Sequence, residues 1–178
     1  MKYDSEGGPT MQESPYDEIR PFLTGKTLDT NFSFSITHVD VNTPSDRVSF
    51  LSELLENKKV LHIGCADHFN VIDAKISAGK HLHSALIKQS QIVTGIDLNV
   101  KAIEHLQGKY NIPDLHICNI LEVDGDSETF SEGRHYDFAL LAEIVEHLDN
   151  PGQFLTHLNE TLGHLYDRII ITVPNAFS

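Results

Sequence analysis

The stretch from residue 59 to residue 67 reads Lys59-Val60-Leu61-His62-Ile63-Gly64-Cys65-Ala66-Asp67. Its apolar residues, Val60, Leu61 and Ile63, are typical of a strand that a parallel sheet buries on both faces, although periodicity alone also allows a short buried helix. Gly64 ends the run, and a glycine at that point lets the backbone turn tightly beside a ligand. In open α/β sheets the ligand crevice lies outside the carboxyl ends of the strands. The stretch therefore predicts a core strand that leads into one wall of a binding site.

A second apolar run repeats this pattern and ends in an acid; it reads Ile92-Val93-Thr94-Gly95-Ile96-Asp97. An acid at the end of a second strand is the arrangement by which folds of this kind hold a ribose, because a carboxylate accepts hydrogen bonds from both hydroxyls of the diol. Asn99 already supplies the N-cap of the helix that follows. The second strand therefore predicts that Asp97 contacts a ligand.

Three further strands are predicted along the chain, at residues 115–120, 136–142 and 168–173. Helical patterns separate them, so strands and helices alternate. Such alternation predicts right-handed crossovers between parallel strands. The predicted fold class is therefore α/β, with an open, mostly parallel sheet and helices on both faces.

Capping residues predict where the helices begin and end. Thr43-Pro44 and Asn150-Pro151 each combine an N-cap with a proline at the first helical position, and the helix that Asn99 caps is expected to stop at Gly108. Residues 66–80 interrupt the pattern with two apparent breaks before a short helix. We expect this segment to form an irregular loop after the first strand.

Composition and charge exclude several classes of partner. The chain has 178 residues, and 26 acidic against 13 basic residues give a formal charge of -13. This charge repels a phosphate backbone and the basic residues form no patch, so nucleic acid is not an expected partner. No apolar run approaches the roughly 20 residues of a membrane span, and residues 1–6 have no apolar signal region. We therefore expect a cytoplasmic protein without a membrane partner.

Residues 1–29 are predicted to form an extended or partly disordered arm, because they offer few apolar side chains to bury; the folded domain would span residues 30–178. A period-two pattern at Phe32–Ile36 predicts a half-buried strand. The fifth strand of the core would present an apolar edge that is prone to pairing. We expect the Phe32–Ile36 segment, or the same edge of a second copy in a homodimer, to cover it; the alternative is that residues 30–41 cross the sheet as an irregular arm.

Five motifs, taken in order, resemble the class I S-adenosylmethionine-dependent methyltransferases. They read Val60-Leu61-His62-Ile63-Gly64-Cys65, Gly95-Ile96-Asp97, Cys118-Asn119-Ile120, Glu143-Ile144-Val145-Glu146-His147-Leu148 and Ile171-Thr172-Val173-Pro174-Asn175. The resemblance covers residues 58–175. It implies a Rossmann-like sheet, here without the last two family strands, and transfer of a methyl group from S-adenosylmethionine to an oxygen or nitrogen of a small-molecule or sugar-like acceptor. Within the family, the chain is most similar to bacterial enzymes associated with surface-polysaccharide and glycosyl-transfer pathways.

The resemblance also implies a cofactor site. The loop of Gly64 would lie against the methionine part, Asp97 would hold the ribose hydroxyls, and Asn119 would take the place of the usual acid near adenine. An amide can both donate and accept, which suits an adenine edge, but it equally suits a helix N-cap. The cofactor-binding residues expected from the resemblance are Gly64, Cys65, Ala66, Asp97, Leu98, Asn119, Ile120 and Glu143.

Several positions depart from the family pattern. The family commonly has an acid where this chain has His62, and further glycines where it has Ala66 and His68. The interval from Gly64 to Asp97 is also longer than usual, so the loop is expected to be re-routed. The alternative interpretation is therefore a cofactor-binding or non-catalytic domain that keeps the fold. A nicotinamide-dependent dehydrogenase is less favoured, because only the first glycine of the dinucleotide fingerprint is present.

Glu143, Glu146 and His147 are spaced so that a helical turn would place them on one face. Such a set could ligate a divalent metal, and it resembles the metal-binding part of the small-RNA 3′-terminal 2′-O-methyltransferases. The signature is also common in methyltransferases that use no metal, and we adopt that interpretation. His147 is then the candidate general base for a hydroxyl acceptor.

Three further histidines are not expected to form a metal site, and the two cysteines are not expected to form a disulfide. His68, His81 and His83 have no companion carboxylate or cysteine at a metal-like spacing, which favours surface positions. Cys65 and Cys118 fall in predicted strands and are expected to behave as small hydrophobes. If the strand order follows the family, the second strand separates them, and the distance is too long for a disulfide.

Overall fold

The computed structural model describes residues 46–123 and 133–174, all within the unit Pro44–Ser178. The predicted N-terminal arm and the Phe32–Ile36 strand lie outside the described residues. The described helices and strands are, in order, α1 (Arg47–Leu54), β1 (Lys59–Ile63), α2 (Ile72–Ser77), α3 (Leu82–Gln89), β2 (Ile92–Asp97), α4 (Val100–Tyr110), β3 (Leu115–Ile117), β4 (Tyr136–Ala142), α5 (Pro151–Leu162) and β5 (Tyr166–Thr172).

The five strands form one sheet in the order β3-β2-β1-β4-β5, and all neighbouring strands run parallel. Leu61 stands at the centre, opposite Thr94 of β2 and Ala139 of β4. The chain winds outward from β1 to β3 and then returns to place β4 on the other side of β1. Ligands of open α/β sheets bind at such a reversal, outside the carboxyl ends of the strands. The prediction of an α/β, Rossmann-like fold is confirmed.

The first strand is buried on both faces, which explains its apolar sequence. Leu61 packs in one cluster with Leu158 of α5, and Val60 packs in a second cluster with Leu51 of α1 and Leu86 of α3. Complete burial of each aliphatic side chain of this kind stabilises the fold by about 1.5–3 kcal/mol. β1 therefore joins the two helical layers, and the position of the Gly64 turn follows from it.

Side chains cap the starts of four described helices, and His81 caps α3 by accepting from the backbone N–H of Ser84. Asn99 and Asn150 each accept a hydrogen bond from the backbone N–H three residues later, as predicted. For α1 the predicted Thr43 cap is wrong, because the helix begins at Arg47 and the Asp46 carboxylate accepts from the first backbone N–H groups. An aspartate is as effective as a threonine in this role, so the composition did not distinguish the two positions.

The helix α4 passes through Gly108 and ends at Tyr110, so the stop predicted at Gly108 is wrong. Asn111 ends the helix instead, with a φ of 51° in the left-handed region. Asparagine adopts this conformation more readily than most residues, which is why it can replace glycine at a helix end.

β3 is shorter than the predicted strand and ends at Ile117. The Asn119 side chain accepts a hydrogen bond from the backbone N–H of Leu121, and a short 3₁₀ turn occupies Ile120–Glu122. A side chain that satisfies the backbone locally competes with strand pairing. Cys118 therefore follows β3, as Cys65 follows β1; both cysteines are free, and β2 separates the two strands as predicted.

The segment predicted as an irregular loop contains a helix. A 3₁₀ turn at Phe69–Val71 leads into α2, whose Ile72 is fully buried among side chains of α4. The lengthening between Gly64 and Asp97 is therefore an ordered insertion that packs on the sheet.

Among the described residues, β5 pairs with β4 and with no second strand. Ile169 and Ile171 on β5 are each 40 % exposed, and Val173 just beyond it is 57 % exposed. The described residues contain no helix that is both long and apolar enough to cross a membrane.

Candidate functional site

A cavity of about 630 Å³ opens at the carboxyl ends of the strands, where the winding of the sheet reverses. The loops after β1, β2, β3 and β4 form its walls. All the residues that the sequence assigned to a site line this cavity: Gly64, Cys65, Ala66, Asp97, Leu98, Asn119, Ile120, Glu143 and His147.

Gly64 makes the turn that opens the cavity. Its φ is 71°, and its backbone N–H donates to the carbonyl of Ile96 at 2.8 Å. A Cβ at this position would lie 2.8 Å from Cδ1 of Ile144, closer than carbon atoms pack. The left-handed conformation therefore favours glycine, and a side chain here would also require the end of Ile144 to move.

Asp97 ties the two neighbouring loops together. One carboxylate oxygen accepts from the backbone N–H of Ala66 at 2.9 Å, and the other accepts from the backbone N–H of Asn99 at 2.8 Å. The expectation that the Asn99 cap leaves Asp97 without a backbone role is corrected by these bonds. Because a carboxylate has about four acceptor sites, room remains for hydrogen bonds to a ligand.

Asn119 has the capping role that its residue type also allowed. Its side-chain oxygen accepts from Leu121, and its side-chain nitrogen donates to a Glu122 carboxylate oxygen at 2.8 Å. Ile120 beside it is buried, whereas Leu98 across the cavity is 64 % exposed. An amide and apolar side chains thus line the end of the cavity between β2 and β3.

Glu143 has an unusual backbone conformation for a non-glycine residue, with a φ of 57°. Its carboxylate lies 3.1 Å from the guanidinium of Arg47, and its backbone N–H donates to the carbonyl of Thr172. Sequence reasoning missed Arg47, because nothing in the local pattern shows that the start of α1 reaches the cavity. The ion pair joins α1 to the end of β4 at the cavity wall.

The expected sharing of one helical face by Glu143, Glu146 and His147 is wrong. A 3₁₀ turn begins at Val145, after the left-handed residue, so Glu143 lies outside it. Within the two described ranges, no three acidic, histidine or cysteine side chains converge as a metal site requires. Glu146 and His147 are exposed at the cavity wall, where His147 can reach a ligand.

A second ion pair lines the cavity, between Lys75 of α2 and Asp67. Neither residue was assigned to the site from the sequence, because the segment that carries them was expected to be irregular. The only available signal was the length of the insertion after Gly64.

The expectation that His81 and His83 lie on the surface is wrong, whereas His68 is exposed as expected. His83 is fully buried on α3, and its Nδ1 lies 3.2 Å from Nδ1 of the buried His62 on β1. Burial lowers the pKa of His62 well below its usual range and lowers the pKa of His83 to about 3. The pair is therefore neutral at pH 7, with one imidazole donating to the other.

A family model described as a methyltransferase domain matches residues 37–177. DesVI from Streptomyces venezuelae is similar in structure, with 14% sequence identity over 71% of this chain and 49% of that chain and a TM-score of 0.50. The N-methyltransferase NodS from Bradyrhizobium japonicum WM9, solved with S-adenosyl-L-homocysteine, has 19% identity over 67% of this chain and 53% of that chain and a TM-score of 0.45.

The plantazolicin methyltransferase BpumL, also solved with S-adenosylhomocysteine, has 21% identity over 70% of this chain and 44% of that chain and a TM-score of 0.43. No protein of curated function matches the sequence. The chain spans about half the length of these solved structures.

Proposed function

Because the chain belongs to the methyltransferase-domain family, we propose that it is an S-adenosylmethionine-dependent methyltransferase. The observation that carries the proposal is the pairing of a glycine, Gly64, with the Asp97 carboxylate at the reversal of the sheet. A tight turn and an acid at the ends of two adjacent strands suit an adenosyl ligand. The acceptor in this proposal is an oxygen or nitrogen of a small-molecule or sugar-like compound, of the kind used in surface-polysaccharide pathways.

The chemistry of the cavity fits this cofactor. Asp97 can accept from the ribose hydroxyls, and Asn119 with Leu98 and Ile120 offers an amide and apolar contacts to adenine. A cavity of about 630 Å³ is of the size that small-molecule sites commonly have. The cofactor supplies a methyl group that its positive sulfonium makes reactive, so the protein contributes mainly alignment.

His147 is the residue that we assign to proton transfer. For a hydroxyl acceptor, its imidazole would take the proton from the oxygen as that oxygen bonds to the methyl group. Its exposed position at the cavity wall leaves an acceptor free to approach. Replacing His147 with Ala is then expected to lower the rate of transfer at least tenfold while affinity for S-adenosylhomocysteine, measured by calorimetry, stays unchanged.

A cofactor-binding or non-catalytic domain that keeps the fold is the second candidate function. It is favoured by one observation: the Ala66 backbone N–H, in a loop that the family lines with glycine, is already bonded to Asp97. A loop that satisfies its own donors has fewer left for a ligand.

Isothermal titration of the full chain with S-adenosylmethionine and S-adenosylhomocysteine tests the cofactor. Binding of both is expected, and release of S-adenosylhomocysteine in the presence of nucleotide sugars or other small acceptors would then separate an enzyme from a binding domain. Absence of heat with both ligands, from protein with a cooperative unfolding transition, would remove the enzyme and leave a non-catalytic domain that keeps the fold.

A further inference from the structure

In the insertion after the first strand, Asp73 of α2 contacts three side chains of α4. Asp73 on α2 lies 2.6 Å from His105 Nε2 and accepts hydrogen bonds from Lys109 at 2.6 Å and from Tyr110 at 2.7 Å, all three on α4. The Lys109 and His105 hydrogen bonds, together with that of Tyr110, hold the pKa of the Asp73 carboxyl below its usual range. Ile72 of α2 is also buried, so a movement of α2 would break these hydrogen bonds and the apolar contacts of Ile72 together.

The opposite side of α2 contributes charge to the cavity. Lys75, two residues after Asp73, lines the cavity and forms an ion pair with Asp67, which also lines it. The side chains are 37 % and 25 % exposed, so both are accessible from the cavity while the stem of Lys75 packs on the protein. The insertion therefore presents one positive and one negative group side by side.

Backbone N–H groups at the start of the same loop already donate hydrogen bonds within the fold. The N–H of Ala66 donates to Asp97, and the N–H groups of Gly64 and Cys65 both donate to the carbonyl of Ile96. Three consecutive amides are thus used within the fold. These three amides are not free to bind a ligand, and Asp67 and Lys75 are charged side chains that line this wall of the cavity.

We propose that the Lys75–Asp67 pair is the subsite for the zwitterionic amino-acid end of the cofactor, an inference that rests on the proposed function. The Lys75 ammonium would bind the carboxylate of that end, and the Asp67 carboxylate would bind its ammonium. A partly exposed ion pair is weak because water and salt screen it. Exchanging it for two charge-assisted contacts with a ligand therefore costs little and gains specificity.

The other ion pair at the cavity suits this role less well. Arg47 and Glu143 lie on the β4 side, beside Glu146 and His147. His147, the proposed base for the acceptor, is on that side. The Lys75–Asp67 pair instead follows Ala66, whose backbone is bonded to Asp97, so it continues the wall that would hold the ribose.

The test compares two ligands by isothermal titration: S-adenosylhomocysteine, and 5′-methylthioadenosine, which has the adenosyl thioether but no amino-acid end. Lys75→Met keeps the apolar stem and removes the charge. It is expected to weaken binding of S-adenosylhomocysteine about tenfold or more, as loss of a hydrogen bond to a charged group does, and to leave binding of 5′-methylthioadenosine unchanged. Asp67→Asn is expected to show the same selectivity. The matched control is Lys88→Met, at an exposed position of α3 that does not line the cavity.

Equal weakening of both ligands by Lys75→Met and Asp67→Asn would overturn the inference, because the pair would then support only the shape of the cavity. Unchanged affinity for both ligands in both variants would also overturn it. If the unaltered protein binds neither ligand, the proposed function fails and the inference with it. If the unaltered protein binds both and the variants do not discriminate, the inference alone fails. Urea unfolding of each variant verifies that the substitutions leave the fold intact.

Discussion

Asp97 fastens two loops of the fold and is also the residue proposed to hold the ribose hydroxyls. Its carboxylate accepts from backbone N–H groups on two loops, so removing it should affect more than binding. Asp97→Ala is expected to weaken binding of S-adenosylhomocysteine about tenfold or more and to lower the free energy of unfolding by about 1–3 kcal/mol, because two part-buried donors lose a charged acceptor. Titration calorimetry and urea unfolding measure the two effects.

The matched control for Asp97 is Asp149→Ala, at an exposed acid near the cavity that does not line it. Both quantities should stay unchanged in that variant. A folded Asp97→Ala protein with normal affinity would place the ribose elsewhere.

Replacing either of two glycines with alanine is expected to change stability, in opposite directions. Gly64→Ala places a methyl group against Ile144 in a left-handed conformation, and should cost about 1–3 kcal/mol of stability. Gly108→Ala adds a methyl group inside α4, where nothing lies within 4 Å, and should stabilise the protein by about 0.5–1 kcal/mol. Opposite shifts of the urea midpoint are the expected result. Equal shifts would mean that the turn at Gly64 relaxes to accept a side chain.

The elements of this fold differ in how well the sequence predicts them. β4 has the predicted bounds, since an apolar strand between polar turns leaves no other register. α2 was missed because Ile72–Ser77 is too short to show helical periodicity, and it is stabilised by Asp73 reaching α4 across the sequence. The residues of the site also differ in how well the sequence predicts them. Residues directly after strands were placed at the cavity by the topology, whereas Arg47 and Lys75 reach it through contacts that no local pattern encodes.

The buried contact between His62 of β1 and His83 of α3 predicts that acid destabilises the fold. His62 and His83 are buried with lowered pKa values, so the folded protein keeps both neutral while the unfolded chain takes up protons below its ordinary histidine pKa of about 6.5. Stability is therefore fully present above that pH and is lost as the pH falls toward about 3, the pKa of His83. The two residues together should lower the free energy of unfolding at pH 5.5 by about 2–3 kcal/mol relative to pH 7.5.

Urea unfolding at both pH values measures this cost. The double variant His62→Leu, His83→Leu should reduce the pH dependence, because neither position then titrates. His164→Leu, at an exposed histidine, should leave it unchanged. An unaltered slope in the double variant would assign the acid sensitivity to other groups.

At the scale of the whole molecule, the feature that bears on assembly is the edge of β5 that no strand of residues 46–123 and 133–174 pairs with. Its apolar side chains are exposed among the described residues, and such an edge can pair with another strand. We propose that residues near Phe32–Ile36, or β5 of a second copy, cover it. A chain shortened to begin at Thr43 is then expected to aggregate or to change its sedimentation coefficient relative to the full chain. If the shortened chain stays monomeric and equally stable, neither kind of cover is needed.

The double attachment of Asp97 has a consequence for how related sequences should vary. A descendant that no longer used the cofactor would still gain from keeping this acid, because selection for stability alone preserves a residue that fastens two loops. The same holds for Gly64, whose backbone admits no other residue without strain. The Lys75 ammonium has no comparable tie to the backbone among the described residues, since its partner there is the partly buried side chain of Asp67. Among relatives that carry the same insertion, we expect the lysine to vary in those that no longer bind the cofactor. Its presence would then indicate retained activity, whereas the presence of the acid and the glycine would not.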